Sequence, residues 1–167
     1  IAVSDIIGSG SYAYNLLFLH DVSNLYTYKI EQSGITLLNQ TALLGQCLDN
    51  DLITEMECII NSSGNIVVAF ALPKGYTGPF DPAMPCYESF EIWFYEYSIT
   101  GTLINYNSIL PEYTIPWYPN SFFRYMIPKG FEFSPNGNTL YYTAYTTNSG
   151  WTGSHIYYVD LSSGINL

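Results

Sequence analysis

Apolar and polar positions along this 167-residue chain alternate with a period of two or gather into short continuous runs, and helical spacing is almost absent. Tyr, Phe, Ile, Val and Thr fill the runs, and clusters of Gly, Pro, Asn and Ser separate them. This pattern predicts short β-strands joined by turns. Three segments line up: LYTYKIEQSGITLL from Leu25, IWFYEYSITGTLIN from Ile92 and IYYVDLSSGINL from Ile156. Each reads as a strand, a tight turn with glycine (Gly34, Gly101, Gly164) and a second strand. Lys29, Glu96 and Asp160 take one equivalent position, just after Tyr28, Tyr95 and Val159. A second kind of hairpin precedes the first in two places, ECIINSSGNIVVAF from Glu57 and FEFSPNGNTLYYTAY from Phe131, with Gly64-Asn65 and Gly137-Asn138 in its turns. Two consecutive hairpins make one unit of four short antiparallel strands, recurring at intervals of roughly sixty-five residues.

An all-β fold of four-stranded antiparallel units follows, the make-up of a β-propeller blade. FEFSPNGNTLYYTAY followed by IYYVDLSSG resembles the repeat of WD-type and related cell-surface or secreted propellers, with Val159-Asp160 at the Trp-Asp position. The Gly-His pair of true WD repeats has no counterpart in this sequence, which favours the cell-surface style of propeller over an intracellular scaffold. The resemblance implies roughly two and a half to three blades of an incomplete ring. Residues 1–44 are expected to hold the later strands of a first blade, 45–106 a second blade and 107–167 a third, cut before completion. About activity the resemblance implies little, because propellers host many unrelated functions.

Composition narrows the partners. Charged residues make up 11% of the chain and aromatic residues 17%, and the formal net charge is −10. With only Lys29, Lys74, Arg124 and Lys129 as cations, the chain cannot neutralise a run of phosphates, which argues against nucleic acid and anionic lipid as ligands. No apolar run reaches the roughly eighteen residues of a membrane span. Low lysine, abundant Tyr, Asn, Ser and Thr, and acidic charge favour an extracellular or cell-surface setting. Asn39-Gln40-Thr41 and Asn61-Ser62-Ser63 match the N-glycosylation pattern and lean the same way. Cys47, Cys58 and Cys86 are disulfide candidates in an oxidising compartment, with one thiol left over. The alternative is three buried free thiols acting as small apolar groups.

In four-stranded meanders alternate connections emerge at the same end, so all the short turns are expected on one side. The long segments 45–54, 73–89, 107–128 and 145–154 are then expected together on the other. Long loops are where repeat proteins place function. Tyr113, Trp117, Tyr118, Phe122 and Phe123 in the proline-stiffened stretch PEYTIPWYPNSFFRYMIP, together with Trp151, are the candidate contact residues. Such rings stack on sugars or fill protein interfaces. Asp49, Asp51 and Glu55 offer hard oxygen ligands for calcium, without the alternation and glycine of an EF-hand loop; no other cofactor is indicated. His20 and His155 are too isolated to suggest a general base. The expectation is a non-enzymatic binding or structural module, contacting protein subunits, missing blades of the same chain or glycans, and open to self-assembly. The alternative is part of a propeller hydrolase or lyase whose active site is completed by further blades.

Overall fold

The computed structural model describes residues 1–21, 23–43, 55–75, 87–109, 125–148 and 151–165. They form three antiparallel sheets, each a meander in which chain neighbours pair. The first sheet contains β1 (Ala2–Val3), β2 (Tyr14–His20), β3 (Asn24–Glu31) and β4 (Gly34–Ala42). The second contains β5 (Met56–Ile60), β6 (Ile66–Gly75), β7 (Tyr87–Tyr97) and β8 (Leu103–Ile109). The third contains β9 (Tyr125–Phe133), β10 (Thr139–Asn148) and β11 (Trp151–Asp160). Among the described residues the only helical element is a 3₁₀ turn at Gly10–Tyr12, so no helix there is long and apolar enough to cross a membrane.

Two local expectations change. The N-terminal segment supplies four strands instead of only the later ones. Its first strand is two residues long, too short to leave a pattern. Beyond it the Ser4 Oγ accepts the Leu16 N–H at 2.9 Å and the Asn15 side-chain amide donates to the Ser4 carbonyl at 2.8 Å, extending the attachment of the chain to β2. The second change is in 145–154, expected as a long loop. β10 and β11 are instead paired as far as Asn148 opposite Trp151. The Thr- and Tyr-rich sequence there suits a strand, and its Asn and Ser had suggested a loop.

The three sheets stack in one sense. On the second sheet Ile66, Val68, Phe70, Tyr95 and Tyr97 look back at the first, where Leu16, Phe18 and Leu25 complete a core. Val67, Ala69, Ala71, Phe90, Ile92 and Phe94 look forward at the third, against Phe131, Phe133, Leu140, Tyr142 and Val159. Strand β6 is therefore buried on both sides from Ile66 to Leu72, which is why IVVAFAL reads as a continuous apolar run and not an alternating one. Rings reinforce the rear core: Phe70 stacks on Tyr95 at 5.6 Å and Phe18 lies tilted against Tyr97 at 5.3 Å. Burial pushes the Tyr95 and Tyr97 phenols above their ordinary 10.0 and so keeps both neutral.

Register decides which face is which. Ile60 pairs with Ile66 across the first polar turn and Phe133 pairs with Leu140 across the second, so the second turn is one residue longer. Aligning the two hairpins on Gly64-Asn65 and Gly137-Asn138 would therefore invert every side chain of β10. Aligned on the closing pairs, Leu140 corresponds to Ile66 and both look rearward. Each sheet thus has a rear face toward its predecessor and a forward face toward its successor.

Candidate functional site

The described surface is indented where the turns of the second and third sheets meet. A cleft of about 310 Å³ lies between Asn61, Ser62 and Ser63, Glu96, Gly137 and Asn138, and the turn 161–165, with Val67 also lining it. The three elements arrive there because each follows or precedes a strand of the forward core. Asn61 organises the first turn: its Oδ1 accepts the N–H groups of Ser63 and Asn65, each at 3.0 Å, an Asx-type closure that leaves its amide free to donate. Asn61 Nδ2 donates to Glu96 Oε1 at 3.1 Å, and Asn65 Nδ2 donates to the same oxygen at 2.9 Å. One carboxylate oxygen is thereby held by two amides from a neighbouring hairpin.

Gly137 brings the opposite wall close. Its φ is +71°, and a side chain there would reach the Asn61 Cα at 3.5 Å. The last turn is closed by Gly164 N–H donating to the Leu161 carbonyl and by Leu161 N–H donating to the Asn138 carbonyl, both at 2.8 Å. Asn107 Nδ2 donates to the Ile165 carbonyl at 2.9 Å and ties this turn to β8. The Ser162 N–H donates to Asp160 and holds that carboxyl below the usual range. The cleft is lined by amides, hydroxyls and one carboxylate around Val67 and Ile165, with the Asn61 and Asn65 amides engaged by Glu96. It lies at the short-turn end, whereas function was expected at the long-loop end.

The residues singled out from sequence fall in several places. Tyr113, Trp117, Tyr118, Phe122 and Phe123 lie outside the described residues, as do Asp49, Asp51, Cys47 and Cys86. Trp151 is the first residue of β11. Glu55 immediately precedes β5 and is exposed; among the described residues no three His, Cys, Asp or Glu side chains converge on one point. Cys58 is a free thiol on β5, and burial, with smaller contributions from Glu57 and Asp5, pushes it up to about 12. It is consequently a poor nucleophile. Asn39 is half-buried on β4 opposite Thr27, and the Asn61 amide is engaged at both ends. The Glu96–Asn61–Asn65 cluster was not anticipated, although both Gly-Asn turns and the charged position after Tyr95 were visible in the repeat.

A second surface feature is broader. On the rear of the first sheet Ile35 and Leu37 are exposed, next to Tyr26 stacked on Tyr28 at 6.4 Å. On the forward side of the third sheet Tyr141, Ile156 and Tyr158 are exposed. Comparison of the chain with known protein families, curated proteins and solved structures returns no match.

Proposed function

We propose that this chain is part of an extracellular or cell-surface β-propeller and works as a non-enzymatic binding and structural module, meeting its partners through broad surfaces and not through a catalytic centre. The observation that carries the reading is how the sheets approach one another. Stacked sheets ordinarily lie about 10 Å apart, yet Cα atoms come within 8 Å where β1 meets β5 and where β9 meets β5, β6 and β7. Each of these approaches involves the first strand of at least one of the two sheets, and β9 reaches the second and third strands of the second sheet as well as its first. Sheets that converge at their first strands fan about an axis as blades do. The exposed aromatic and aliphatic faces at the two ends of the fan supply contact area of the kind protein partners cover, and the aromatic segment 107–128 adds rings suited to protein or glycan.

The test is sedimentation velocity together with binding to an immobilised glycan panel, for the wild-type chain and for a Leu37→Lys/Tyr158→Lys variant. The reading expects the wild type to associate with protein or glycan. Loss of protein contacts in the variant with glycan binding kept assigns the sheet faces to protein. A wild-type chain that engages nothing in either format overturns the module.

A further inference from the structure

Between the second and third sheets the Glu96 carboxylate is divided between two tasks. Asn61 Nδ2 donates to its Oε1 at 3.1 Å and Asn65 Nδ2 donates to the same oxygen at 2.9 Å. A carboxylate oxygen carries two lone pairs, so Oε1 is filled. Oε2 makes no hydrogen bond among the described residues, and Glu96 lines the cleft of about 310 Å³. Bracing the turn thus takes one oxygen and leaves the other as an acceptor on a side chain already held in place, which lowers the ordering cost of a ligand. We infer that this cleft is a binding site for a primary ammonium group on a short aliphatic stem, with Glu96 Oε2 as its charged acceptor.

The rest of the wall selects the ligand. The hydroxyls of Ser62, Ser63 and Ser163 and the Asn138 side-chain amide line the same cleft and make no hydrogen bond among the described residues, and each has an oxygen that can accept from an N–H. No Lys, Arg or His lines it, so an anion finds no charged partner there. A hard divalent metal gathers several carboxylates, and among the described residues no three His, Cys, Asp or Glu converge. An organic cation remains. A guanidinium is held best as a fork by both oxygens of a carboxylate. With Oε1 filled, the single open oxygen fits the compact head of an ammonium instead. Val67 and Ile165, each 4% exposed, give the stem an apolar floor. The repeat shows that the fold does not demand this arrangement. The counterparts of Glu96 are Lys29, paired with Glu31, and Asp160, which accepts the Ser162 N–H within its own turn.

Nuclear magnetic resonance titration of the whole chain with n-butylammonium chloride tests the site. The backbone amide signals of Ser62, Ser63, Asn138 and Ser163 should move together along one saturable curve. n-Butanol, with the same stem and no charge, should leave them in place, and n-butylguanidinium should bind more weakly. In Glu96→Gln the side-chain carbonyl still accepts from both asparagines while the charge is gone, so affinity for n-butylammonium should fall about tenfold or more. Ser163→Lys, at an exposed turn position, sets a tethered ammonium beside the cleft and should weaken binding by a similar factor, which keeps the test alive if Glu96→Gln fails to fold by circular dichroism. A capped lysine tripeptide and cadaverine separate the two sources of the group: tighter binding of the peptide than of n-butylammonium assigns the site to a lysine of a protein partner, tighter binding of cadaverine to a free polyamine. Shifts that do not saturate, an equal response to n-butanol or n-butylguanidinium, or unchanged affinity in either folded variant overturns the inference. The site is independent of the module reading: a chain that engages neither protein nor glycan and still binds n-butylammonium loses that reading and keeps the site.

Discussion

Strands β2 and β6 occupy the same place in successive sheets, and the contrast between them shows what burial does to a sequence. β6 is buried at every position from Ile66 to Leu72. In β2 only Leu16 and Phe18 are fully buried, and Leu17 and Leu19 between them are half-buried. The run LLFL is nevertheless as apolar as VVAF. A strand that expects water on one face alternates; one that expects a neighbour on both does not. By that criterion β2 carries the composition of an interior strand while standing at the end of the stack.

The comparison can be broken most forcefully in the second sheet. Phe94→Ala removes a fully buried ring from the forward core and should cost about 3–5 kcal/mol in equilibrium denaturation, whereas Leu37→Ala on the exposed rear of the first sheet should stay within about 0.5 kcal/mol under monomeric conditions. Similar losses at the two positions would mean that the rear face is covered after all. Next in size is Gly101, in the β7–β8 turn. Its φ is +85°, and a Cβ would lie 2.5 Å from Leu38 Cδ1 on β4. Gly101→Ala should therefore destabilise by about 1–2 kcal/mol, mostly from the left-handed backbone, since the Leu38 side chain can turn away.

Thr27 sharpens the contrast in the opposite direction. It is fully buried on the forward face of β3, and its hydroxyl makes no hydrogen bond of good geometry among the described residues, its one polar neighbour being the Tyr97 phenol. Thr27→Val should raise stability by about 1 kcal/mol in the same denaturation assay; a loss would show that the hydroxyl is satisfied in solution.

The smallest effect concerns the β2–β3 turn. Desolvation raises the Asp21 carboxyl, but the Ser23 N–H, the Tyr26 hydroxyl and the Asn24 N–H together outweigh it and hold it below its ordinary 3.8. A depressed folded value stabilises the turn above pH 3.8, and that contribution disappears as pH falls through the folded value. The same bond, first among the causes, raises the Tyr26 phenol. In Asp21→Asn the phenol should titrate closer to 10.0 by ultraviolet absorbance; an unchanged titration would remove the bond from the account.

Much of the fold was legible because hairpins are local. Gly34, Gly101 and Gly164 all adopt positive φ at the turns where the spacing put them; the runs on both sides of Gly34 and Gly101 and the run before Gly164 are strands, and no strand follows Gly164 among the described residues. Less of the site was legible. Glu96, Asn61 and Gly137 come from three separate stretches of chain, and no spacing rule connects them. Their meeting depends on the second and third sheets stacking turn end beside turn end.

The sequence by itself determined the strands, the turns and the repeat, since each rests on interactions within a few residues: alternation, β-branching and the left-handed freedom of glycine. Tertiary structure decided which side of each strand faces which neighbour. A period of two says that a strand has two faces without saying what covers them, and one added residue between Phe133 and Leu140 exchanges the faces of everything that follows. Only the packing of sheet on sheet fixes that choice, and with it the cleft between the turns and the side of the second sheet that each neighbour covers.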